Sequence, residues 1–160
     1  MKSFAISGSA RPSVGKSNAK ELRNAGLVPC VLYGGEKQLH FSLASTELDK
    51  LIYTPSVYIV ELDIDGEKHR AIMKDVQFHP VTDSTLHVDF LELDDNREVV
   101  VSVPLKTLGT PLGVRNGGKL RINRRKLTLK ALPADLPDFI QLDIEGLRIG
   151  QSIRIREIEG

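Results

Sequence analysis

The sequence predicts a mainly β protein, a small N-terminal β-domain carrying two short helices followed by a second mostly β domain. Three observations lead there. Apolar residues alternate with polar ones through Phe4/Ile6, Leu39/Phe41/Leu43 and Tyr58/Val60/Leu62/Ile64, the period of a half-buried strand. Asp65-Gly66 between two such runs is a strong hairpin signal. Asp94-Asp95-Asn96 is a polar linker after which the patterning changes, dividing the chain into residues 1–93 and 97–160. The 160 residues are 41% hydrophobic but only 5% aromatic, with no Trp, so aliphatic side chains must fill the cores.

Lys2–Ser7 is the first predicted strand and Gly8 to Gly15 a loop. Ser17 is a candidate N-cap for a helix with a thin apolar stripe of Ala19, Leu22 and Gly26. Gly26 stops it. Val28–Tyr33 and Gln38–Leu43 follow as strands joined through Gly34-Gly35-Glu36-Lys37. Ser45 caps a second helix with Leu48, Leu51 and Ile52 inward, closed by Pro55. Lys68–Val76 pairs with the run from Tyr58, Gln77 to Pro80 form a loop, and Leu86–Leu93 is the next strand. In the second domain Val99–Val103 is a β-branched run ended by Pro104, and Thr107–Gly118 is a Gly-rich loop. Leu120, Ile122, Leu127 and Leu129 alternate through a basic stretch and predict strands. Ile140–Ile144 alternates, as do Ile153 and Ile155 against Arg154 and Arg156.

Formal net charge is +1, but it is segregated. Residues 1–40 carry net +4, residues 51–95 net −7, and residues 96–160 net +5. Opposite faces of opposite sign suggest a polyanionic partner for one of them. Arg115 to Lys130 holds seven Lys/Arg and no acid. Cys30 is the only cysteine; it cannot form an internal disulfide, which fits a reducing, cytoplasmic setting. It lies in the apolar run VPCVLY with no base nearby, so it reads as a small hydrophobe rather than a nucleophile. The N-terminus lacks a secretory apolar core, and no apolar run reaches the ~20 residues of a membrane helix. P-loop, dinucleotide and nucleophile-elbow motifs are absent. No cofactor or catalytic site is expected. His79, His87 and Asp89 invite a metal reading, but zinc needs three or four convergent ligands.

Arg11 to Gly35 is the stretch with chemistry to offer. Lys16, Lys20 and Arg23 lie at i, i+4 and i+7, so all three cations share one helical face. Such a face repels itself unless an anion lies against it. Tyr33 ends the following strand at Gly34-Gly35. A basic loop, a basic helix and an aromatic at a strand end suit a phosphate backbone.

GKSNAKELRNAGLVPCVLYGG resembles the G-K-x-x-x-R-x-L-R-x-x-G-x-x-P-a-v-l-Y-G-G signature of the bacterial large-subunit ribosomal protein L-twenty-five (general stress protein Ctc) family. Asp75-Val76-Gln77-Phe78-His79-Pro80 resembles its D-V-Q-R-H-P loop, and Leu86-His87-Val88-Asp89-Phe90 its l-H-v-D-F strand. Leu132 to Pro137 resembles a turn of the second domain found in longer members.

The resemblance implies that the first domain is a small β-barrel with short helices that binds 5S ribosomal RNA in the central protuberance of the large subunit. The RNA-contacting residues it implies are Arg11, Lys16, Lys20, Arg23, Tyr33, Gln77, His79, His87 and Asp89. Two departures subtract cations: Glu21 stands where members often pair two basic residues, and Phe78 replaces the Arg of the loop. Longer members continue past this length, which implies a short form or a truncated chain. An A-form duplex offers a shallow minor groove edged with 2′-hydroxyls. The strand face would read that groove, with Asp89 accepting from a guanine amino group or orienting His87, while the helix neutralises phosphates. Neighbouring ribosomal proteins are the partners expected for the second domain. The alternative is a stress-response protein-interaction module with weak RNA binding.

Overall fold

A computed structural model of the chain describes residues 2–11, 14–35, 37–54 and 56–158. Strands β1 (Lys2–Ala10), β2 (Leu27–Tyr33), β3 (Leu39–Ala44), β4 (Tyr58–Ile64), β5 (Glu67–Phe78) and β6 (Thr85–Glu92) close into a barrel in the order β1-β3-β2-β6-β5-β4. Two of its seams are parallel, β1 with β4 and β2 with β6. Ile6, Cys30, Leu32, Phe41, Leu62, Val88 and Phe90 fill the interior. Alternation along each strand puts these inside and their neighbours outside. Phe41 and Phe90 meet across the core with ring centroids 5.8 Å apart.

Helices α1 (Lys16–Asn24) and α2 (Ser45–Ile52) lie where the sequence puts them, with Leu48 and Leu51 buried. Neither uses the expected serine as a cap. Gly15 precedes α1 and Ala44 precedes α2, and neither helix has a side-chain cap. Pro12, Ser13, Glu36 and Pro55, which entered the loop, hairpin and helix-end predictions, lie outside the described residues. Asp65 and Gly66 both have positive φ, as the tight hairpin between β4 and β5 requires.

The predicted loop at Gly8 is instead the continuation of β1. Gly8 still pairs with Ile64 of β4, while Ser9 and Ala10 pair with β3. A Cβ at Gly8 would come within 2.8 Å of the Leu43 side chain. The glycine therefore serves the close approach that closes the barrel. Gln77 and Phe78 likewise belong to β5 rather than to a loop.

The second unit is a three-stranded sheet, β8-β7-β9, from β7 (Val99–Leu108), β8 (Lys126–Ala131) and β9 (Ile140–Asp143). β7 runs straight through Pro104, where the sequence ends it. Leu105 N–H donates to the Arg125 carbonyl on the β8 side. The Pro104 nitrogen thus faces the other side, where pairing with β9 begins only at Leu105. A missing N–H costs nothing there. A short helix, α3 (Leu112–Arg115), interrupts the predicted glycine loop. Residues 119–125 form no strand, and Ile155–Glu157 is a turn of 3-10 helix rather than an alternating strand.

The sheet packs on the barrel exterior. Ile72 of β5 points out of the barrel and joins Val99, Val101, Val103 and Leu136 in a second core, flanked by Val57, Leu91 and Leu93. Opposite it, Lys74 is the extra residue of a β-bulge, and its Nζ donates to the Val100 carbonyl at 2.7 Å. Ile72 is 2% exposed, so Ile72→Ala should cost about 2–5 kcal/mol. In urea unfolding, the variant should lose the second sheet before the barrel. An undivided transition at the wild-type midpoint would show that the two units do not depend on this contact.

Candidate nucleic-acid interface

The outward faces of β3, β2, β6 and β5 form one continuous surface. Val31 sits between His40 of β3 and Asp89 of β6, and Asp89 sits opposite Asp75 of β5. One position along, Tyr33 is level with Leu91, and Leu91 with Ile72. The second core therefore borders the site at Tyr33. Toward the other end, His87 pairs with Gln77. The structure thus brings Tyr33, Gln77, His87 and Asp89 onto one surface although they lie up to fifty-six positions apart in the sequence.

His87 Nδ1 lies 2.8 Å from Asp89 Oδ1. With that nitrogen donating, Nε2 is left to meet a partner from outside. Asp75 and Asp89, directly opposite, are like charges on neighbouring strands, a destabilising arrangement. Burial, and then the Asp89 and Asp75 carboxylates, push the Tyr33 phenol above its ordinary pKa. The surface is consequently rich in acceptors and suited to donors such as amino groups and 2′-hydroxyls. Cys30, on the inner face of β2, is fully enclosed. Burial first, and then Asp89, push its thiol far up, and it stays protonated.

α1 packs against β2, whose outward Pro29 is fully buried. Two of the four cations predicted as phosphate ligands tie this helix down. Arg11 Nη2 donates to Asn18 Oδ1 at 2.8 Å, while the Arg11 backbone N–H donates to the His40 carbonyl at 2.9 Å. Arg23 Nε donates to the Leu86 carbonyl at 3.0 Å. Leu86 is the extra residue of the bulge between Gln77 and Phe78, so its carbonyl is free of the ladder. Lys16 and Lys20 are exposed on the same helical face.

His79 is tied into the turn that follows β5. Its Nδ1 accepts the backbone N–H groups of Val81 and Thr82 at 3.3 and 3.2 Å. Its backbone N–H donates to the Ser84 carbonyl at 2.8 Å. It organises the turn between β5 and β6. Among the described residues, no group of three or more His, Cys, Asp or Glu could hold a metal ion. Sequence reasoning missed Asn18, His40 and Asp75 as members of this surface. His40 was legible as an outward position between Leu39 and Phe41. Its Nδ1 and the Arg11 Nε are both buried without a partner among the described residues.

A closed barrel with a polar outer face and a docked cationic helix defines the class, a small β-barrel protein. The chain belongs to the ribosomal L25p family: residues 6–90 match the model described as the Ribosomal L25p family. Residues 98–160 match the C-terminal domain of ribosomal protein TL5. Three relatives are each named large ribosomal subunit protein bL25. That of Christiangramia forsetii is 46% identical over 99% of this chain and 73% of its own length. Those of Bacteroides fragilis and Phocaeicola vulgatus are 43% and 44% identical over 99% of this chain and 83% of theirs. By family the chain is a structural ribosomal protein and so cytoplasmic, and its named relatives are proteins of the large ribosomal subunit.

Arg23→Gln should loosen α1 by about 1 kcal/mol, a roughly fivefold faster opening. Hydrogen exchange should show faster α1 amides with β2 still protected, whereas Lys16→Gln should change neither. Equal effects of the two variants would contradict the anchoring role.

Proposed function

We propose that the barrel binds 5S ribosomal RNA in the central protuberance, using the outer face of β2, β6 and β5 with α1 beside it. Residues 1–93 carry this contact and residues 97–160 form a separate domain. The observation that carries the reading is the joining of Tyr33, His87 and Asp89 on one acceptor-rich surface next to exposed Lys16 and Lys20. Family membership supports it.

The two parts do different work. Lys16 and Lys20 neutralise phosphates flanking a minor groove, with the Arg23 and Arg11 guanidinium groups holding the helix at the right height. Tyr33, His87, Asp89 and Gln77 face sugars and base edges, where sequence information resides. Asp89 repels phosphates, so it favours the approach in which donors of the groove floor meet it. Phe78 is 42% exposed at the end of β5 and offers a base or ribose an apolar contact in place of a cation. His79 contributes by fixing the turn beside it.

Each neutralised phosphate releases counterions and steepens the salt dependence of binding by roughly 0.7–0.9 log units. Lys16→Gln should weaken 5S RNA binding and flatten the slope by about one contact, leaving preference among RNAs intact. His87→Ala should weaken binding at every salt concentration with little change of slope, and erode discrimination against a control duplex. Salt titrations of both variants on both RNAs measure this; indistinguishable behaviour would refute the division of roles.

A further inference from the structure

The second sheet leaves half of one face open. On β7, Val99, Val101 and Val103 are covered by the barrel. Leu105 and Thr107, which continue the same alternation, instead line a groove of about 790 Å³ together with Leu127, Leu142 and Ile144. Residues 147–158 and the 119–125 segment form its other sides. Ile149 and Ile155 there are 66% and 63% exposed, and Ile122 is 43% exposed. Large aliphatic groups gathered on one surface mark a contact site.

The charged side chains that line the groove have one sign. Lys119, Arg121, Arg124, Arg148, Arg154 and Arg156 line it, with no Asp or Glu. Among the described residues none of the six is in an ion pair. Just outside, Arg115 pairs with Glu145 and Lys130 with Glu98. Glu157, between the lining residues Arg156 and Ile158, turns its carboxylate to the Arg154 backbone N–H at 3.1 Å, so the six side-chain cations are left for another molecule. A nucleic acid would meet the cations but leaves the aliphatic floor uncovered. An extended polypeptide meets both, because successive side chains point to opposite sides. β8 and β9 are also edge strands of this sheet, open to an added strand.

We propose that this groove binds an extended, acidic polypeptide segment of a neighbouring protein, with aliphatic side chains alternating with carboxylates. The aliphatic groups settle on Leu105, Leu127 and Leu142, and the carboxylates pair with the arginines of the rim.

The test uses the whole chain and a labelled short peptide alternating Leu and Glu, followed by fluorescence anisotropy. Two control peptides replace Leu by Ser or Glu by Lys. The Leu/Glu peptide should bind about tenfold or more tighter than either control. The double variant Arg121→Glu, Arg148→Glu should weaken it by about tenfold. Ile149→Ser with Ile155→Ser, both at exposed positions, should weaken it while leaving the circular dichroism unchanged. Equal binding of the Leu/Glu and Ser/Glu peptides would overturn the proposal, since charge alone would then suffice. Displacement of the peptide by duplex RNA, with RNA affinity itself dependent on Ile149 and Ile155, would overturn it in favour of a nucleic-acid surface.

Discussion

The parallel seam between β2 and β6 is the contact on which the rest depends. Cys30 meets Val88, Val31 meets Asp89 and Tyr33 meets Leu91, joining segments more than fifty residues apart. The intervening β3, α2, β4 and β5 make the crossover that a parallel pair demands. Without this seam the barrel does not close, and Tyr33 never meets His87 and Asp89. Pairing at such sequence separation forms late in folding and at high entropic cost. The enclosed Leu32, Phe41 and Phe90 supply the apolar burial that offsets it.

Two irregularities of the neighbouring β5–β6 seam then place the surroundings of the site. The bulge at Lys74 turns an ammonium outward to the second sheet, and the bulge at Leu86 leaves a carbonyl for Arg23. The acceptor-rich strip between them is bordered by α1 on one side and the second core on the other. Its like-charged Asp75 and Asp89 are poorly arranged for stability alone. Such a local conflict is expected where a surface is shaped for a partner. The near-neutral whole thus divides into an acidic strip, a cationic helix and a separate cationic groove.

Much of this was legible in the sequence. Period-two alternation located β3, β4 and β6, and the i, i+4, i+7 spacing located the cationic face of α1. The errors have local physical causes. Gly8 and Pro104 look like strand breakers, yet one serves a close strand approach and the other faces an unpaired side of β7. Ser17 and Ser45 have capping chemistry but lie one or two positions inside their helices. Leu120 and Ile122 alternate, but their segment borders a groove instead of pairing. The anchoring of Arg23 was not readable, because its partner is a backbone carbonyl exposed by a bulge sixty-three residues away. Nor was the turn that His79 holds, since its hydrogen bonds to the Val81 and Thr82 backbone carry no sequence signature.

Which surface of the barrel meets RNA decides between the helix-and-strand face and the basic stretch of the second sheet. Adding 5S ribosomal RNA to the isotope-labelled protein and following its NMR resonances tests this most directly. The account predicts shifts and broadening at Lys16, Lys20, Tyr33, His87 and Asp89, with Leu127, Leu142 and Ile149 unchanged. Changes concentrated in residues 119–130, with Tyr33 and His87 undisturbed, would contradict it.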